Sequence, residues 1–203
     1  MQRILSIAIA LAVYAHPAAA APVDRHEPKA PPVGDQPSAA QTQQAATAWL
    51  TALGKSEVAQ ATIAVGLPFQ LGGHGNTPDA WQCAKKAAAK DAKSAATLMK
   101  CLAESLFGHA LEMQFAWSAA RFKKETDNDR EAIVWLDDAA VRKSDLFKKF
   151  GKVIKGMDAS KTRWTGLTVG VPASATFDAI LAVDPGAQGL AVTALFVDAQ
   201  IYE

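Results

Sequence analysis

The C-terminal stretch constrains this chain more than any other part of it. Arg163 to Val171, Ala175 to Val183 and Gly189 to Ile201 are three alternating or β-rich runs. Between the last two, Asp184-Pro185-Gly186-Ala187 has the Pro-then-Gly order of a type II turn, so a hairpin of two long strands is expected to close the chain. The helical patterns lie upstream, and no strand-helix-strand alternation occurs. The fold class expected is therefore α+β, with N-terminal helices packed against an antiparallel sheet.

The helical part begins with a clear signal. In Gln41 to Leu71, residues Ala46, Trp49, Leu50 and Leu53 recur at the spacing of one helical face, with Trp49 as its anchor. Gly54 is expected to close that helix and Ser56 to cap a short second one, whose inner stripe is Val58, Ala61 and Thr62 or Val65. Gly66 and Pro68 end it, leaving Leu67 to Leu71 as extended chain.

Further on, Gly72-Gly73-His74-Gly75-Asn76 reads as a polar loop; it lacks both the Gly-Lys-Ser/Thr ending and the context of a phosphate cradle. Thr77 and Pro78 then start a partly exposed, alanine-rich helix over Asp79 to Lys93. Ser94 is expected to cap the next helix, with Leu98, Cys101, Leu102 and Leu106 inward. Leu111, Met113, Phe115 and Trp117 alternate, which favours a strand over Ala110 to Trp117, although the neighbouring alanines suit a helix equally well. The polar run Lys123 to Glu131 reads as a hairpin tip. Ala132 to Asp138 is expected to be a strand with Ile133, Trp135 and Asp137 on one face. Ser144 caps an amphipathic helix, Asp145 to Lys155, with Leu146, Phe147, Phe150, Val153 and Ile154 on one side and lysines on the other.

The start of the chain points to export. A basic residue at Arg3, an apolar run from Ile4 to Tyr14 and small residues up to Ala20 have the layout of a signal peptide, expected to be cleaved after Ala20. That run is too short to cross a bilayer, and no transmembrane anchor is expected after its removal. Residues 21–39 read as a Pro-rich flexible tether, and 40–203 as one domain. In a periplasmic or secreted protein the two cysteines, Cys83 and Cys101, are expected to be bridged, stabilising the fold by about 3 kcal/mol. The histidines are scattered and no metal-ligand spacing is present, so neither metal nor other cofactor is expected. A net charge of +1 and the absence of a recognised motif argue against nucleic-acid binding.

The order of a helix anchored by Trp49, a short second helix, a brief strand at Pro68-Phe69, a third helical region and long strands ending in a hairpin resembles the nuclear-transport-factor-2-like superfamily. The resemblance covers roughly residues 40–203 and rests on element order. It implies a cone in which a curved sheet wraps around helices and leaves a cavity at the open end. The superfamily includes isomerases and cyclases as well as binding or accessory domains, and fold alone does not choose among them.

An isomerase-like site would need a carboxylate base in an apolar cavity and an oxyanion donor. The strand carboxylates Asp137, Asp178 and Asp198 are the candidates, each with the plainer reading of a solvated rim residue. His109 is a further candidate base, without any nucleophile context nearby. Trp117, Trp135 and Trp164 are candidates to line an apolar pocket, or else belong to the core. The leading expectation is a non-catalytic exported domain that binds a small apolar ligand or an envelope protein partner. A general acid/base enzyme using a cavity aspartate is the alternative, and a filled-core interaction module the third.

Overall fold

The structure is a computed structural model that describes residues 36–75, 83, 88–116, 135–171 and 173–202. The expected signal peptide and most of the expected tether lie outside these residues. Six strands form one open sheet in the order β2-β1-β6-β5-β4-β3. These are β1 (Val65–Gly75), β2 (Ala88–Ala89), β3 (Trp135–Leu136), β4 (Arg163–Val171), β5 (Ala175–Gly186) and β6 (Gly189–Ile201). The three long C-terminal strands form the antiparallel meander expected of them, and helices pack on the sheet, so the α+β class holds. One neighbour pair is parallel: β1 runs alongside β6, which makes the sheet mixed.

Helices α1 (Ala39–Gly54), α2 (Val58–Ile63), α3 (Ala92–Ala103) and α4 (Leu106–Leu111) lie on the first face. Trp49, Leu50 and Leu53 of α1 are buried, as their spacing requires, and Trp49 packs on Phe69 with ring centroids 5.9 Å apart. Alternation along the strands sends Leu167, Val169, Phe177, Ala179, Leu181, Leu195 and Val197 into this layer. Phe107 of α4 meets Phe177 edge to face at 5.5 Å. The opposite parity, Trp164, Ile180, Ala182, Ala194 and Phe196, faces a second layer built from α5 (Asp138–Lys143), α6 (Asp145–Lys149) and α7 (Gly151–Ile154). A register shift at Ala182/Val183 returns Val192 to the first face.

Several local expectations are corrected. Gly54 is the last residue of α1 and does not supply the left-handed turn; Ser56 does, at φ 58°, so it cannot cap α2. The reason is packing: a Cβ on Gly54 would lie 2.8 Å from the Glu112 nitrogen and the Leu111 carbonyl carbon and oxygen. Gly54 is needed for close approach. Gly66 and the expected loop Gly72 to Gly75 are strand residues of β1, and at Gly72 the missing side chain admits the Phe150 and Phe196 rings. The expected helix to Lys93 gives way at Ala88 and Ala89, which pair with Gln70 and Phe69. Asp91, not Ser94, is the N-cap of α3; Ser94 completes a reciprocal capping box three residues on.

The expected strand over Ala110 to Trp117 is helical as far as it is described. Ser105 caps α4, which runs into a π-helix, Glu112–Ala116, while Trp117 lies outside the described residues. Period-two alternation could not distinguish a strand from a helix whose turn widens by one residue. The expected strand to Asp138 is confined, among the described residues, to Trp135 and Leu136. Ser144 caps α6 as expected, but the single helix to Lys155 is broken at Phe150 into α6 and α7. Asp184 to Gly186 continue β5, and the hairpin tip is Ala187-Gln188, closed by Gly189 at φ 117°.

The second layer is latched to the sheet by Asp138. Its Oδ1 accepts the Trp164 backbone N–H at 2.8 Å, and Arg142 Nε donates to Oδ2 at 2.6 Å. The chain before α1 is also held. Gln36 Nε2 donates to the Thr162 carbonyl at 2.9 Å and Arg163 to that of Pro37 at 3.0 Å, so the end of the expected tether is anchored at the start of β4.

Candidate functional site

The sequence candidates scatter across both faces of the sheet. Asp137 is not an inward-facing strand residue: its carboxylate accepts the Ala140 N–H at 2.8 Å and caps α5. The side chain is exposed to solvent, outside any apolar cavity that a base would need. His109 lies on α4 rather than at a strand start, half exposed, with Nδ1 3.4 Å from Glu112. Trp164 is 2% exposed in the second layer, between Phe147 at 5.1 Å and Phe196 at 6.1 Å. Trp135 packs against the first layer, opposite Leu167 on β4. Trp135 and Trp164 therefore cannot line one pocket, because the sheet stands between them.

Asp178 and Asp198 do come together, in company the sequence did not suggest. Cross-strand registers place His74 of β1 opposite Asp198 of β6, Asp198 opposite Asp178 of β5, and Asp178 opposite Thr168 of β4. All four have the parity of the second face, one step beyond the helical cover at Phe196 and Ile180. His74 Nδ1 donates to Asp198 Oδ1 at 2.9 Å, and Lys149 of α6 donates to the other oxygen at 3.2 Å. Thr168 Oγ1 donates to Asp178 at 2.6 Å. Facing carboxylates repel. Each here has its own donor, which offsets that repulsion.

A histidine oriented by an aspartate is half of an acid/base dyad, but this one lies in the open. The His74 side chain is 53% exposed, so bulk water competes for its free nitrogen. Among the described residues no group of three histidines, cysteines or carboxylates is placed to hold a metal ion. The row reads as a polar ladder that keeps the uncovered part of the second face wet.

The described end of the first layer is different in character. The π-helix carries Met113, Gln114 and Phe115, and Phe115 meets Trp135 edge to face at 6.3 Å. Both rings stay partly exposed, unlike Trp49, Phe69, Phe107 and Phe177, which are sealed in the core. Gln114, next to Phe115 in sequence, has its Oε1 shielded from solvent and, among the described residues, without a hydrogen-bond partner. A buried carbonyl without a donor costs about 1–3 kcal/mol, so such a group calls for a partner, whether an ordered water, an ion or a ligand. An open depression of about 460 Å³ lies elsewhere, along Ala40, Gln43, Gln44, Thr47 and Ala48 of α1, and offers no charged group.

Cys83 and Cys101 are disulfide-bonded, with Cα atoms 5.9 Å apart, and the bridge ties Cys83 to α3. Such a bond suits an oxidising compartment. Among the described residues no helix is long and apolar enough to cross a membrane.

No family model matches the chain, and no curated protein does. Among solved structures the chain is similar to an NTF-2-like protein of unknown function from Silicibacter pomeroyi DSS-3, at 7% identity and a TM-score of 0.35, over 80% of this chain and 93% of that one. At that identity and score the likeness carries no inference about chemistry.

Proposed function

We propose that the protein is a non-catalytic, exported binding domain that takes a small, largely apolar ligand bearing one hydrogen-bond donor. The ligand would sit at the Phe115–Trp135 end of the helical layer. The observation that carries this reading is the partly exposed Phe115–Trp135 ring pair, with Gln114, one residue before Phe115, carrying a shielded Oε1 that has no donor among the described residues. The acid/base alternative draws no support from the carboxylates. Asp137 caps α5 at an exposed position, and Asp178 and Asp198 belong to the uncovered part of the second face. The apparent signal peptide and the disulfide favour a periplasmic or secreted setting.

The test is native mass spectrometry of the mature protein from its own envelope or medium, followed by titration of released compounds against tryptophan fluorescence. A retained small molecule whose affinity falls about tenfold or more in Trp135→Ala and Gln114→Leu supports the reading. A bare mass, or a ligand indifferent to both substitutions, refutes it; a retained polypeptide would make this a protein-docking domain.

A further inference from the structure

The second layer has an outer side that neither the core nor the proposed ligand site uses. Between Lys143 and Met157 the chain carries Lys143, Lys148, Lys149, Lys152 and Lys155 against a single acid, Asp145. The whole chain nets only +1, so this short stretch is a basic island on an otherwise slightly acidic protein. All five lysines are exposed. Lys148 pairs with Asp145 and Lys149 with Asp198, whereas Lys143, Lys152 and Lys155 have no ion pair among the described residues.

The island is held rigidly and has an apolar centre. Leu146, Phe147, Phe150 and Ile154 point into the sheet, with Phe150 stacked on Phe196 at 4.8 Å, so α6 and α7 cannot roll to hide their basic side. Val153, 43% exposed, stands between Lys152 and Lys155 on that side. An exposed valine flanked by exposed lysines suits the boundary between headgroups and acyl chains. A nucleic acid would want aromatic stacking partners or base-reading side chains, which this face lacks.

We infer that the basic outer side of the second layer, from the end of α5 through α7, is a peripheral docking surface for anionic phospholipid membranes, with Lys143, Lys152 and Lys155 facing the headgroups and Val153 entering among them. Each lysine near an anionic surface strengthens partitioning by roughly fivefold. The attraction is electrostatic and fades within a screening length of about 10 Å at 0.1 M salt. Contact through this face leaves the Phe115–Trp135 end, on the other side of the sheet, free.

The test is co-sedimentation of the full mature chain with vesicles of equal phosphatidylglycerol and phosphatidylcholine, against phosphatidylcholine alone, at 50 and 500 mM salt. Binding only to the anionic vesicles and only at low salt is expected, falling about twentyfold in Lys152→Gln/Lys155→Gln and falling again in Val153→Asp. The double variant Lys90→Gln/Lys93→Gln removes the same charge from exposed positions elsewhere and should leave binding unchanged. Equal binding to both vesicle types, equal loss in the two double variants, or retention on heparin without vesicle binding would each overturn the inference. All of these substitutions are at solvent-exposed side chains, and unchanged circular dichroism would confirm that the fold is intact.

Discussion

Replacing Gly54 by alanine sets two effects of opposite sign against each other. In a helix, alanine is better than glycine by up to about 1 kcal/mol, so propensity alone predicts stabilisation. The added Cβ would lie 2.8 Å from three backbone atoms at the junction of α4 and the π-helix, the Glu112 nitrogen and the Leu111 carbonyl carbon and oxygen. Backbone cannot step aside as a side-chain tip can, and overpacking of this kind costs about 1–3 kcal/mol. Gly54 is also the last residue of its helix, where the propensity gain is smallest. The collision wins, and a net loss of about 1–2 kcal/mol is expected. With a urea slope of about 2 kcal/mol/M, the unfolding midpoint falls by about 0.5–1 M. Gly151 is the internal control: it too is helical, but a Cβ there meets nothing within 4 Å, so Gly151→Ala should be neutral or raise the midpoint. Paired urea titrations followed by tryptophan fluorescence decide the matter. A Gly54→Ala protein as stable as the parent would refute the packing of α1 against the π-helix. Because Gln114 and Phe115 ride on that π-helix, the same variant should also weaken ligand binding at their end of the layer.

Three further outcomes follow from the geometry. Removing the bridge in Cys83→Ser/Cys101→Ser opens a loop with a sequence separation of 18, and should cost about 3 kcal/mol in chemical denaturation under non-reducing conditions. Asp138→Ala leaves the Trp164 N–H and Arg142 without their acceptor and should destabilise by about 2–3 kcal/mol; a double-mutant cycle with Arg142→Ala should show a coupling between the two. The backbone N–H of Ser94, followed by its hydroxyl, holds the Asp91 carboxyl below its ordinary value of 3.8. A depressed folded value means that the cap's contribution is complete above 3.8 and is lost as pH falls through the lower folded value. Amide exchange at Ser94 should accelerate in that acid window, and Asp91→Asn, which keeps the acceptor, should abolish the pH dependence.

The features legible in the sequence are those encoded within a few neighbouring residues. Alternation over Arg163 to Ile201 specified three strands, because side chains on a pleated chain must sort to two faces. The spacing of Ala46, Trp49, Leu50 and Leu53 specified α1, and Ser144 specified the start of α6, because a face and a cap each span about one turn. Two cysteines in a chain that opens like an exported one anticipated their bridge.

Tertiary structure alone decided the rest. Leu111, Met113 and Phe115 alternate as a strand would, and only packing against Gly54 shows that they follow a widening helix. Asp137 looked like a strand carboxylate until the chain turned into α5 one residue later and used it as a cap. His74 and Asp198 are separated by 124 positions, and nothing local to either one predicts that β1 will lie parallel to β6 in the register that joins them. Which face of the sheet a residue occupies, and what lies opposite it, depends on register and layer order. Those are set by the free energy of burying the whole set of strands and helices at once, which no window of neighbouring residues contains.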